Sequence, residues 1–142
     1  MTLAFVSPED LSAADLRQIS DLFRQLNPEL PQQDVPALLA SPNPPLLVVC
    51  RDGGKIIGMG TLCLYTVISG RKAWIEDVVV DATARGSGLG RRIMEALIGR
   101  AREAGAREVL LFTGHHREAA HRLYLSLGFA EKQSRLMRLA LD

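Results

Sequence analysis

Arg85-Gly86-Ser87-Gly88-Leu89-Gly90 is the segment of this sequence best suited to chemistry. Three glycines in five positions let the backbone turn tightly and bring successive N–H groups to one point. The segment follows an apolar strand ending at Val80 and opens a helix, so its donors add to the positive end of the helix dipole. Such a turn is built to hold an anion such as pyrophosphate, and Arg85, Arg91 and Arg92 supply further charge. An ordinary glycine-rich turn is the alternative. The spelling sets the segment apart from two other phosphate loops. A Walker loop ends in Gly-Lys-Ser/Thr, whereas Gly90 is followed by Arg91-Arg92. A dinucleotide fingerprint runs GxGxxG in a first βαβ unit, with an acid about 20 residues on. Here the glycines run GxGxG and follow three strands joined by short turns.

The same strand carries two carboxylates, Glu76 and Asp77, in the run IEDVVV. A carboxylate in an apolar segment is desolvated, which raises its pKa toward that of a general base. In a regular strand Glu76 shares a face with Val78 and Val80 while Asp77 points the other way; a bulge would change that parity. A salt bridge at the sheet edge is the structural alternative for the pair. Cys50 and Cys63 lie in the apolar runs LLVVC and TLCLY without CxxC spacing and read as buried free thiols. His115, His116 and His121 cluster without HExxH or partner cysteines, so no metal is expected. Seventeen Lys+Arg against sixteen Asp+Glu leave a net charge of +1, without the basic excess of a nonspecific nucleic-acid binder. No apolar run approaches the roughly 20 residues of a membrane span. The opening MTLAFVSPED has no basic n-region and does not read as a secretory signal. A cytoplasmic chain without membrane or nucleic-acid partners is expected.

These groups need a frame. Hydrophobic residues make up 47% and charged residues 23% of the 142 residues, the balance of one globular domain over 1–142. TLAFV at 2–6 reads as a strand, and Ser7-Pro8 opens a helix with Leu11, Ile19, Leu22, Phe23 and Leu26 near helical spacing, ended by Asn27-Pro28. A short helix is predicted from Asp34 to Leu39, before the break SPNPP at 41–45. LLVVCR, KIIGMGTLCLYTV and AWIEDVVV then form an antiparallel meander, turning at Asp52-Gly53-Gly54 and Ser69-Gly70. The long middle strand is apolar on both faces and so is covered on both. After a loop at 81–88, Leu89, Ile93, Ala96 and Leu97 mark an amphipathic helix ending near Gly105. EVLLFT at 108–113 is a buried strand, a helix follows around 117–127 with Gly128 at its C-cap, and FAEKQSRLMRLAL closes the chain as a strand. The order β-α-α-β-β-β-α-β-α-β makes an α/β (α+β) fold with a mixed, mostly antiparallel sheet and helices on both faces.

IEDVVV, RGSGLG and the C-terminal HRLYLSLGF, in this order and spacing, resemble the GNAT superfamily of acetyl-coenzyme A-dependent N-acetyltransferases. RGSGLG matches the family's Arg/Gln-x-x-Gly-x-Gly/Ala, and the resemblance covers nearly the whole chain. It implies the family's fold and acetyl-coenzyme A as co-substrate. Backbone groups of Val78, Val79 and Val80 would meet the pantetheine arm. Arg85 and the amides of Gly86, Ser87, Gly88, Leu89, Gly90 and Arg91 would hold the pyrophosphate. The family seats the acetyl thioester in the splay between IEDVVV and EVLLFT. A protonated amine cannot attack a thioester, so a base must take its proton and an acid helps the thiolate leave. Glu76 is the base candidate with Asp77 its rival. The resemblance assigns the acid to Tyr124, for which a plain core role is the alternative. Many members place an Asn seven residues before this Tyr; here that position is Arg117, which can reach a cofactor phosphate instead.

IEDVVVD looks like the matching strand of glucosamine-6-phosphate N-acetyltransferases, and REAAHRLYLSLGF looks like aminoalkylphosphonate and similar small-amine acetyltransferases. Both kinds of relative handle small, amino-bearing, anionic compounds. His115, His116 and Arg117 either line the site of an anionic acceptor or are solvated loop residues. The expected activity is acetyl transfer to a primary amine of a small molecule by direct attack in a ternary complex. A protein or peptide N-terminal acetyltransferase and a non-catalytic coenzyme A-binding domain are the alternatives, with a homodimer left open.

Overall fold

The structure, a computed structural model, describes residues 1–114 and 116–142 and divides into two compact units, Met1–Phe112 and Thr113–Asp142. The first unit holds a five-stranded sheet in the order β1 (Thr2–Val6), β2 (Leu46–Asp52), β3 (Lys55–Val67), β4 (Gly70–Val80) and β5 (Val109–Leu110). The first four strands pair antiparallel, and β4 and β5 pair parallel. Helices α1 (Ala13–Leu26) and α2 (Val35–Leu39) precede β2, and α3 (Leu89–Glu103) follows β4. The mixed, mostly antiparallel α+β architecture is the one expected.

Both faces of the sheet are covered, because β3 alternates two apolar sets. Met59 faces α1 with Val49 and Leu47 of β2, packing against Ile19 and Leu22. On the other face α3 presses Leu89, Ile93 and Leu97 onto the sheet. A Cβ on Gly58 would lie 2.8 Å from Ile93, and one on Gly60 would lie 2.9 Å from Leu97. Glycine at these two positions lets α3 approach the strand closely. Cys50 is fully buried on this side and Cys63 is half-buried on the other; both are free thiols.

The N-terminal helix starts later than Ser7-Pro8 suggests. Those residues form a single 3-10 turn, Pro8–Asp10, and Leu11 returns to extended backbone. Ser12 then caps α1 by accepting the Asp15 N–H, while the Asp15 carboxylate accepts the Ser12 N–H. Ser7 has a similar box, its N–H donating to the Asp10 carboxylate at 2.8 Å, but the extended Leu11 ends that turn. Asp15 is 7% exposed and takes two bonds from the Arg51 guanidinium, at 2.8 and 3.1 Å. The Arg51 guanidinium, then the Ser12 N–H, hold its carboxyl down at about 2.

Two strands differ from expectation. EVLLFT yields only the two residues of β5, half-buried, and Phe112 is 56% exposed. The cause lies in β4: Glu76 pairs with Thr61 and Val79 with Met59, so Asp77 and Val78 together oppose Gly60. This bulge, with Asp77 at φ +52°, turns β4 away from β5 after Trp74, the last residue they pair. FAEKQSRLMRLAL forms no strand. A strand forms only by pairing, and the sheet of described strands ends at the short β5. Leu136, Met137, Leu139 and Leu141 stay exposed.

The second unit contains α4 (Glu118–Ser126), which ends where expected. Gly128 at φ +98° donates to the Leu125 carbonyl, and the Phe129 N–H returns to the Tyr124 carbonyl at 3.0 Å. Among the described residues no helix is long and apolar enough to cross a membrane.

Candidate active site

The glycine-rich segment is a built cradle. Gly86 and Gly88 both adopt the left-handed region, at φ +82° and +80°, and no heavy atom stands within 4 Å of a Cβ on either. Gly88 is the N-cap of α3, whose first helical bond runs from the Arg92 N–H to the Gly88 carbonyl. The amides of Leu89 and Gly90 precede that bond and have no helical carbonyl to meet. The approach is tied down from three sides. The Asp81 N–H donates to the Ile57 carbonyl at 2.8 Å, and Gln25 of α1 donates to Asp81 and accepts from the Ala82 N–H. Arg85 Nε donates to the Val80 carbonyl at 3.2 Å, and the Ser87 hydroxyl donates to the Ala84 carbonyl at 2.6 Å. Open space, left-handed glycines and helix-start amides together fit a pyrophosphate.

Beside the cradle the sheet is open. β4 runs on from Ile75 to Val80 beyond its last pairing with β5, which leaves one backbone edge without a ladder. Because the Asp81 N–H points to β3, strand alternation sends the Val79 backbone to β3 as well. Val78 and Val80 turn theirs to the open edge.

The bulge also decides the carboxylates. Pairing with Thr61 places Glu76 on the α1 face of the sheet, while Val78 packs on the α3 face, 3.2 Å from where a Gly60 Cβ would be. Glu76 therefore does not share a face with Val78, as a regular strand would require. The Thr61 hydroxyl donates to the Glu76 carbonyl at 2.9 Å and holds the bulge. Asp77 lines a cavity of about 220 Å³ on the α1 face, between α1, α2 and the sheet. Burial raises the Glu76 carboxyl above its usual range, and the charge of Asp77 raises it further. Burial raises Asp77 too. The salt bridges of the described residues include neither carboxylate. The edge-bridge reading of the pair is therefore not realised.

Tyr124 lies in the second unit, half-buried on α4, with its ring edge-on to Phe129 at 6.0 Å. Burial raises its hydroxyl above the usual phenol range, and Arg117 opposes that. His116 and Arg117 are exposed, and His115 lies outside the described residues. A cavity in this unit is lined by His121 and Arg122 rather than by His116 or Arg117. Among the described residues no three His, Cys, Asp or Glu side chains gather as metal ligands.

Sequence reasoning missed Thr61 and the cavity. The signal for the bulge was present as Gly60, a residue without a side chain, opposite Asp77 and Val78. The cavity is assembled from α1, α2 and the sheet, and no local pattern announces it.

The sequence model described as "Acetyltransferase (GNAT) family" matches residues 14–129. An IAA acetyltransferase of Azospirillum brasilense is 33% identical over 136 residues, covering 93% of this chain and 86% of that protein. Glucosamine 6-phosphate N-acetyltransferase 1 of Oryza sativa subsp. japonica is 34% identical over 97 residues, or 61% of this chain and 54% of its own length. Among solved structures, an acetyltransferase of Trypanosoma brucei superposes with a TM-score of 0.77 at 28% identity, covering 99% of each chain.

Proposed function

Because this chain belongs to the GNAT acetyltransferase family and is thus an acyltransferase, we propose that it moves an acetyl group from acetyl-coenzyme A to a primary amine of a small molecule by direct attack in a ternary complex. The observation that carries the reading is the bulge. It sets two carboxylates, which no salt bridge of the described residues includes, on the strand that leads into an anion cradle.

Acetyl-coenzyme A supplies a thioester whose carbonyl an unprotonated amine can attack. The amides from Gly86 to Arg91 hold its pyrophosphate, with Arg85 and Arg91 adding charge. Val78 and Val80 offer backbone groups from the open edge of β4. Glu76 takes the proton the amine must lose as its N–C bond to the acetyl carbon forms. Tyr124, on the resemblance of its segment, gives a proton to the sulfur as the C–S bond breaks. Glu76 then releases its proton to solvent and Tyr124 regains one, so the net reaction is amide plus free thiol.

A second assignment of the base has its own observation, since Asp77 is the carboxylate that lines the cavity. Glu76→Gln and Asp77→Asn, measured separately, decide between them. With Glu76 as base, Glu76→Gln lowers kcat about 10²–10⁴-fold and leaves coenzyme A affinity nearly unchanged. A fall confined to Asp77→Asn reverses the assignment. Full turnover in both variants and in the double variant overturns carboxylate base catalysis.

A further inference from the structure

The cavity on the α1 face differs in chemistry from the anionic acceptors that the sequence resemblance suggests. Its volume is about 220 Å³, and its walls include Ile19, Phe23, Val35, Leu39 and Met59. Among its lining residues Asp77 is the single charged side chain, and none is a cation. Gln32, one of its few polar lining groups, is engaged with the Ser20 carbonyl at 3.1 Å. An aliphatic cavity of about 150 Å³ accepts benzene, so this one has room for a ring with a short arm. A phosphate or carboxylate entering it would shed water with no positive partner, at a cost of several kcal/mol in general. An ammonium head meets the opposite situation, because Asp77 waits in the wall and Glu76 follows on the same strand. Beyond the cavity the same sheet face turns aromatic. Trp74 alternates with Glu76 on β4, donates its indole N–H to the Tyr65 hydroxyl at 3.2 Å, and stacks on Phe112 with ring centroids 5.0 Å apart.

Resting on the acetyl-transfer reading, we infer that the acceptor is a primary amine with an uncharged, apolar body about the size of one aromatic ring. The body lies among the α1 and α2 side chains and the amine lies at the Asp77 end of the cavity. The apolar wall supplies affinity and the acidic end supplies orientation. A sugar phosphate fits neither.

The probes are the n-alkylamines from ethylamine to hexylamine, phenethylamine, ethanolamine and glucosamine 6-phosphate. Each is measured twice: as an acetyl acceptor by thiol release, and without acetyl-coenzyme A by the rise it causes in Tm. The inference predicts that kcat/KM climbs about fourfold per added methylene until the cavity is full, the worth of one buried CH₂. Phenethylamine should exceed ethanolamine by at least about tenfold, with glucosamine 6-phosphate last, and the Tm rises should follow the same order. Leu38 lines the cavity yet is 36% exposed, so Leu38→Lys brings a cation to it without opening the core. That variant should flatten the series, while Leu38→Met keeps it. A flat wild-type series in both readouts, glucosamine 6-phosphate as the best acceptor, or an unchanged order in Leu38→Lys overturns the inference. Tm rises in the stated order with no amine acetylated uphold the cavity's preference and sink the acetyl-transfer reading instead.

Discussion

Gly88 separates two demands that the cradle makes on one residue, a left-handed backbone and room for an anion. Its φ is +80° at the N-cap of α3, and a Cβ there meets nothing within 4 Å. Gly88→Ala therefore costs backbone strain alone, about 1–2 kcal/mol. Gly88→Asp costs no more, since Asp tolerates this conformation better than Ala and suits a helix N-terminus. At roughly 3–4 °C per kcal/mol for a chain of this length, both variants should melt about 3–8 °C below the wild type without ligand. Coenzyme A at a hundred times its Kd adds about 2.7 kcal/mol to the stability of the wild type, or about 8–11 °C. Gly88→Ala should keep most of that rise, because the amides still converge. In Gly88→Asp a carboxylate stands where they converge. Two like charges about 4 Å apart repel by about 4 kcal/mol at an effective dielectric of 20. That exceeds the gain from binding, so the rise should vanish. The assay is thermal melting of the three proteins with coenzyme A, acetyl-coenzyme A, NADH and ATP. A coenzyme A rise that survives in Gly88→Asp, or an equal rise with NADH in the wild type, refutes the cradle assignment.

Raised carboxylates at Glu76 and Asp77 mean that the folded chain holds protons more tightly than the unfolded one, so stability falls as pH climbs from the ordinary values of 4.5 and 3.8 through the raised ones. Asp77→Asn should thus raise Tm at neutral pH and lose that advantage below pH 3.8, as melting curves across pH will show. The residual rate of Glu76→Gln should recover toward high pH, where free amine is more abundant. Tyr124→Phe keeps the ring against Phe129 and should leave Tm almost unchanged while kcat falls and the acetyl-coenzyme A Kd stays put. Full turnover with chemistry rate-limiting would make Tyr124 a packing residue. Asp15 shows the opposite linkage: its carboxyl is lowered from 3.8 to about 2, so its contribution is complete above pH 3.8 and lost as pH falls through 2. Asp15→Ala should cost about 2 kcal/mol at pH 7, and the difference from the wild type should close between pH 4 and 2.

What could be read in the sequence was what short stretches determine by themselves. The three glycines after Val80 dictate a tight turn whatever surrounds them, and the apolar positions of α3 follow its own period, so cradle and helix were legible together. The meander was legible because Asp52-Gly53-Gly54 and Ser69-Gly70 leave the strands few other registers. The bulge was half legible: Gly60 and the Glu76-Asp77 pair are visible, but only the pairing of β3 with β4 shows that two residues oppose one. Glu76 changed face for that reason. The start of α1 was misplaced because two serine caps, each with an acid three residues on, stand within six residues, and extended backbone at Leu11 ends the first after one turn. The closing strand and the full length of EVLLFT were not legible. A strand depends on a neighbour, and the bulge in β4 removes most of the edge that β5 would have used.

Direct transfer from acetyl-coenzyme A to an amine can be followed by counting thiols. The purified chain is mixed with acetyl-coenzyme A carrying a labelled acetyl group, first alone and then with a primary amine. No stoichiometric burst of thiol and no label on the protein should appear before the amine is added. Afterwards one N-acetyl amide should form for each thiol released. A burst of one thiol per chain with label on the protein would contradict direct attack. Coenzyme A binding with no amide from any amine or peptide N-terminus would contradict the enzyme.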